Sequence, residues 1–200
     1  LAQFQDAGLQ PGSQIIIQTA DNGHFLEGFW ACLLGGITAI PVSGGNSSEH
    51  RFKLFRIAST LEEPGLFTDT RTRERLQDFA AQNDLLDEFA RLNTRAISSD
   101  QAAPEGMQAQ IHAPDENDVA FIQFSSGSTS TPKGVVLTHR NLLTNLRSIV
   151  SSSGMTDTEH QFSWMPLTHD MGLIGFHLTP VFMDNDHSLM PTDVFVRRPG

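Results

Sequence analysis

Three consecutive isoleucines, Ile15 to Ile17, follow the turn Pro11, Gly12, Ser13 and are framed by Gln14 and Gln18. A short β-branched run of this kind reads as a strand buried on both faces. Downstream, Phe25, Phe29 and Leu33 recur every four residues behind the cap candidates Asp21 and Asn22, so the spacing predicts a helix from about His24 to Leu34. Gly35 and Gly36 end it, and Ile37 to Val42 forms a second apolar strand. Strand, helix and strand at this spacing favour a parallel pair joined by a right-handed crossover. This constraint places the chain in the α/β class.

The alternation continues. Ser48 to Leu61 reads as helix, Gly65 to Thr68 as strand, and Thr72 to Leu92 as one helix or two with Leu76, Phe79, Leu85, Leu86 and Phe89 facing inward. Residues Ser98 to Asn117 are rich in Ala, Gln, Pro and acidic groups with little periodicity, and read as a surface connection, a candidate linker between subdomains. Val119 to Phe124 and Val135 to Leu137 are further strands, and a helix starts near Thr138 or His139. The expected architecture is a mostly parallel sheet flanked by helices.

Composition narrows the functional classes. Lys and Arg number 13 against 23 Asp and Glu, a net charge of −10, which argues against a broad nucleic-acid face or a polybasic membrane patch. Arg197 and Arg198 are too short a basic run to change that. The apolar run Gly28 to Val42 falls short of the roughly 18 to 20 residues of a spanning helix. The single cysteine, Cys32, has no partner for an internal disulfide, which fits a reducing compartment and hence the cytoplasm, and reads as a buried, inert thiol. The N-terminus carries neither an initiator Met nor signal-peptide features. The chain also stops just after Val194 to Val196, which looks strand-like, so it is expected to be a fragment of a longer protein.

The most informative segment for chemistry runs from Ser125 to Gly134. Ten residues hold six hydroxyls, two glycines and Lys133, at the end of a buried strand. A polyphosphate needs short donors, close backbone approach and a cation, and a loop leaving the C-terminal end of a strand can supply all three. Gly127 would permit the approach, Ser126, Ser128 and Thr129 would donate, Lys133 would bring the charge, and Pro132 would stiffen the backbone before it. It is not a P-loop: Pro132 stands where the second glycine belongs, and Gly134 follows the lysine. It is not a nucleophile elbow either, since Phe124 and Ser126 occupy the first glycine position in the two possible frames. By composition alone, a Ser/Thr-rich linker stays equally open.

The stretch Phe124 to Val135 resembles the Ser/Thr/Gly-rich loop of the adenylate-forming superfamily, which includes acyl-CoA synthetases, fatty acyl-AMP ligases and the adenylation domains of nonribosomal peptide synthetases. Ser130 stands where the family pattern usually carries Gly. Trp164 to Gly175 looks like the motif that follows the loop in these enzymes, a strand and then a helix lining the acyl pocket. Its His169, Asp170, Met171, Gly172 version is most similar to fatty acyl-AMP ligases. Trp30 to Val42 and the tail from Ser188 to Pro199 resemble the same group.

The resemblance implies an incomplete N-terminal AMP-binding domain over residues 1–200, with a subdomain connection near 98–117 and the C-terminal domain absent. The implied reaction is ATP-dependent activation of a carboxylic acid, a fatty acid first, to an acyl-adenylate that passes to an acyl carrier protein. Mg2+ is expected to accompany ATP. Acyl-CoA synthetase, with CoA as acceptor, and amino-acid adenylation are the neighbouring readings. A non-catalytic nucleotide-binding or interaction fragment is the reading from another class.

The resemblance assigns phosphate holding to Ser125, Ser126, Gly127, Ser128, Thr129, Lys133 and Gly134, with Lys133 and His169 as the catalytic pair. Substrate contacts fall to His169, Asp170, Met171 and Gly172, the small Gly172 leaving space for an acyl chain. His169 alternatively caps or packs at its turn, and Asp170 alternatively only complements a helix N-terminus. Leu173, Phe176 and Pro180 fit a core stripe nearly as well as a tunnel wall. The remaining histidines form no metal-ligand spacing with Cys32 or with carboxylates, and Arg140, Asn141 and Arg147 read as a solvated helix face.

Overall fold

β1 (Gln14–Gln18) is the strand around which the sheet is laid down, and the reason lies in its composition. With Ile15, Ile16 and Ile17 fully buried, both its faces must be covered and both its edges paired. A computed structural model describes residues 1–45, 47–125 and 132–197 of the chain. In it β1 pairs in parallel with β2 (Thr38–Pro41) on one edge and with β3 (Gly65–Thr68) on the other. β4 (Ala96–Ser98) adds in parallel outside β3, and β5 (Val119–Ser125) in parallel outside β2. β6 (Lys133–Thr138) completes the order β4-β3-β1-β2-β5-β6.

The helices of this unit are α1 (Ala2–Asp6), α2 (Asn22–Gly35), α3 (Ser48–Ser59), α4 (Thr70–Gln82) and α5 (Leu86–Asn93). Short polar side chains start three of them: Asp21 accepts from the His24 amide at 3.0 Å, Ser47 from that of His50 at 3.3 Å, and Asp69 from that of Thr72 at 2.8 Å. α2 ends where Gly36 takes a left-handed conformation with φ 65°. Its aromatic face is buried, Phe29 lying 5.7 Å from the ring of Phe121 on β5 and 6.1 Å from that of Phe25. Gly28 has no room for a Cβ, which would meet the Phe67 ring at 2.6 Å, so helix and sheet touch closely there. On α3 to α5, Leu54, Phe55, Ile57, Leu76, Phe79, Phe89 and Leu92 join Ile16, Ile40 and Leu66 in one apolar cluster. Leu86 departs from the expected inward face: as the first residue of α5 it is 51 % exposed, and Phe89 and Leu92 take the buried side. Cys32 is fully buried, and burial pushes its thiol pKa up, as expected of an inert side chain.

The chain divides into two compact units, Leu1–Leu137 and Thr138–Gly200. The connection at 98–117 lies within the first. The second opens with α6 (His139–Ser153), started by a capping box in which Thr138 and Asn141 satisfy each other's backbone. Asn141 is thus a cap as well as a surface residue. After α6 come β7 (Gln161–Ser163), a π-helix (Met171–Leu178), α7 (Thr179–Phe182), β8 (His187–Leu189), parallel to β7, and α8 (Thr192–Arg197). The strand-like reading of Val194 to Val196 is corrected here. These residues are helical, Asp193 and Arg197 pair one turn apart at 3.2 Å, and the Phe195 ring stacks on Trp164 at 4.1 Å, contacts that override β-branched propensity. No helix among the described residues is long and apolar enough to cross a membrane.

Because fully buried Phe29 joins α2 to the sheet through the ring of Phe121, Phe29→Ala is expected to destabilise the protein by about 3–5 kcal/mol in urea unfolding.

Candidate functional site

In the first unit, β5 and β6 bring the two ends of the hydroxyl-rich segment side by side. The Ser125 hydroxyl donates to the Lys133 carbonyl at 3.5 Å, so Ser125 and Lys133 sit at neighbouring strand ends. Both are exposed, which leaves the Lys133 ammonium at the surface. Gly134 has a packing reason to be glycine: a Cβ there would lie 2.9 Å from Ile122 and 3.1 Å from Phe124. Ser126, Gly127, Ser128 and Thr129 lie outside the described residues.

In the second unit, the segment expected to begin with a strand is a tight turn instead. The His169 amide donates to the Pro166 carbonyl at 3.0 Å, and the His169 carbonyl accepts from Leu173 at 2.9 Å, which ties the turn into the π-helix. Leu167 and Leu173 are buried beneath it. Gly172 is packed directly against the Pro166 and Met165 carbonyls, with no room for a Cβ. This corrects the expectation that Gly172 leaves space for a chain: the missing side chain is replaced by backbone. Met171 is 54 % exposed, whereas Leu173 and Pro180 are core and Phe176 is half-buried.

His169 and Asp170 project from this turn, both exposed. His169 Nδ1 lies 2.6 Å from Asp170 Oδ1, and the same Oδ1 accepts the Met171 amide at 2.7 Å at the start of the π-helix. Asp170 therefore caps the helix and holds the imidazole together. The ladder below is widened, with both the amide and the hydroxyl of Thr179 donating to the Ile174 carbonyl, the latter at 2.8 Å. Pro180 follows with no amide to continue an α ladder. Single π turns are rare and concentrate at functional sites.

One pair was not foreseen from spacing. His177 Nδ1 lies 2.9 Å from His187 Nε2, joining the π-helix to β8. Burial first, and His187 second, push the His177 imidazole down to about 4. The only advance signal was His177 standing one helical turn from buried Leu173. No group of three or more His, Cys, Asp or Glu among the described residues could hold a metal ion. The described side chains therefore do not fit a protein-held Mg2+, and Asp170 is already engaged twice.

A family model described as AMP-binding enzyme matches residues 2–199. The chain belongs to the AMP-binding enzyme family. It is 31 % identical over 193 residues to the long-chain-fatty-acid–AMP ligase FadD32 of Mycolicibacterium smegmatis, covering 95 % of this chain and 30 % of that protein. It is 31 % identical over 181 residues to JamA of Moorena producens, a medium-chain-fatty-acid–[acyl-carrier-protein] ligase, covering 88 % of this chain and 30 % of that protein. The solved fatty acid AMP ligase of Legionella pneumophila superposes with a TM-score of 0.82 at 31 % identity, over 99 % of this chain and 33 % of that one. This AMP-binding chain thus spans about a third of the length of the relatives it matches.

Two outcomes follow from this geometry. Gly172→Ala drives a methyl into the Pro166 carbonyl and is expected to cost about 1–3 kcal/mol in urea unfolding. His177 is held below its unfolded value of 6.5, so the unfolded chain binds the extra proton first. Stability is complete above pH 6.5 and falls as pH drops from 6.5 through 4, by up to about 1.4 kcal/mol per pH unit. Urea unfolding at pH 7.5, 6.0 and 4.5 measures that slope, and His177→Leu is expected to flatten it.

Proposed function

We infer that the protein carrying this chain activates a fatty acid with ATP and passes the acyl group to an acyl carrier protein. The observation that carries this reading is the family match over nearly the whole chain, with 31 % identity to a fatty acid–AMP ligase. JamA, whose name specifies an acyl carrier protein as acceptor, supports a carrier as the acceptor. The cytoplasm suits the lone buried thiol of Cys32.

In this reading an oxygen of the substrate carboxylate attacks the α-phosphorus of ATP. The bond from that phosphorus to the bridging oxygen breaks, and pyrophosphate leaves with the electron pair. A pantetheine thiol then attacks the acyl carbon, a thioester forms, and AMP departs. Negative charge grows on the leaving pyrophosphate, so the protein's task is positioning and electrostatic stabilisation. The Lys133 ammonium is the charge for the β and γ phosphates, with hydroxyls and amides of Ser126, Gly127, Ser128 and Thr129 as donors. His169 orients the reacting carboxylate. Mg2+ would arrive on the nucleotide phosphates, which is where this ion is commonly held.

The deciding experiment is carboxylate-dependent exchange of pyrophosphate into ATP by the full-length protein, over a panel of fatty acids and amino acids. Fatty acids are expected to support exchange, and Lys133→Ala to reduce it about a hundred- to a thousand-fold. Exchange with amino acids alone would move the reading to amino-acid adenylation. No exchange from a folded full-length protein would leave a non-catalytic nucleotide-binding fragment.

A further inference from the structure

We propose that Asp170 is a positioning residue for His169, fixing the imidazole with its Nδ1 proton directed to the carboxylate and its Nε2 edge presented to the ligand. This rests on the reading that His169 meets the reacting carboxylate. The distance carries it: Nδ1 lies 2.6 Å from Asp170 Oδ1, a separation that two lone pairs would not hold, so the proposal places a proton on Nδ1. The Met171 amide, 3.3 Å from Nδ1, is better served by Asp170 Oδ1 at 2.7 Å. One carboxylate oxygen thus takes two donors, the ring and the start of the π-helix.

The backbone beneath admits little adjustment. The Pro166 carbonyl accepts the His169 amide, and Gly172 closes against that same carbonyl, so the two side chains leave a fixed turn. An anionic oxygen arriving at Nε2 meets a ring whose other nitrogen already faces a carboxylate. The imidazole then stands between two carboxylates, one ring nitrogen toward each. Without Asp170, the ring is free to rotate or to take the other tautomer, and part of the population presents the wrong edge.

The test separates this role from helix capping and from the wider reading. Asp170→Asn keeps an oxygen for the Met171 amide and so keeps the cap, which a melting temperature matching wild type verifies. Nitrogen-15 NMR of the full-length protein, with the His169 signal assigned through His169→Ala, reads the tautomer directly and needs no turnover. A wild-type ring protonated on Nδ1, becoming a mixture in Asp170→Asn, is the expected result. A wild-type ring protonated on Nε2 alone overturns the proposal, whatever the enzyme activates.

In fatty-acid-dependent pyrophosphate exchange, Asp170→Asn is expected to lower the rate about tenfold to a hundredfold. Adding it to His169→Ala is expected to cost nothing further, because its effect runs through the imidazole. Losses that multiply in the double variant would show Asp170 acting on the ligand by itself and would overturn the proposal. An inactive wild type that still gives the expected NMR result refutes the fatty-acid reading and leaves the Asp170–His169 pairing standing.

Discussion

The structure of the first unit depends on one requirement, that three adjacent isoleucines be taken out of water on both faces of a strand. β1 cannot lie at an edge, and parallel neighbours on both sides cannot be reached by hairpins, so each connection becomes a helix crossing the sheet. That requirement explains the close approach of Gly28 to Phe67 and the burial of Phe29 against Phe121. It also fixes where chemistry can be placed. Its central strands keep their faces for the core, whereas Ser125 and Lys133 stand exposed at the facing ends of β5 and β6, toward the edge of the sheet.

In the second unit the governing contact is smaller. A carbonyl, that of Pro166, receives the His169 amide and the bare Cα of Gly172 together. Glycine is required there by distance; a positive φ is not what demands it. The turn so formed carries His169 and Asp170 outward while Leu167 and Leu173 anchor it from below. The exposed pair owes its geometry to buried neighbours that take no part in chemistry.

Much of this was legible in the residues. Gln14–Gln18 and Gly65–Thr68 were readable as strands to the residue, the first from its β-branched run and the second as a short apolar segment in an alternating pattern. The helix at α2 followed from period and caps, and that at α3 from the continuing alternation of helix and strand. What escaped was set by contacts distant in sequence. Leu86 looked like core because helical period cannot say which turn of a helix meets the sheet. Val194 to Val196 looked like strand because propensity ignores the Trp164 ring on which Phe195 stacks. The His177–His187 bond joins residues that no ligand spacing connects. At the candidate site, Lys133, His169 and Asp170 could be singled out from the residues, while the closeness of one Asp170 oxygen to both ring and amide could not.

That sharing bears on why the helix is a π-helix. A capping oxygen that served only the Met171 amide could sit on any short polar residue, and an ordinary α turn would suffice. Here the same oxygen must also reach the imidazole of the preceding residue, while Gly172 closes on Pro166 and Pro180 withholds an amide lower down. Thr179 compensates at the far end by sending two donors to the Ile174 carbonyl, one of them a hydroxyl that an α ladder would not need. The widened ladder is the backbone's response to fixed contacts at both ends. Its cost is borne by burial of Leu173, Ile174 and Leu178, which holds the segment in place however the hydrogen bonds are spaced.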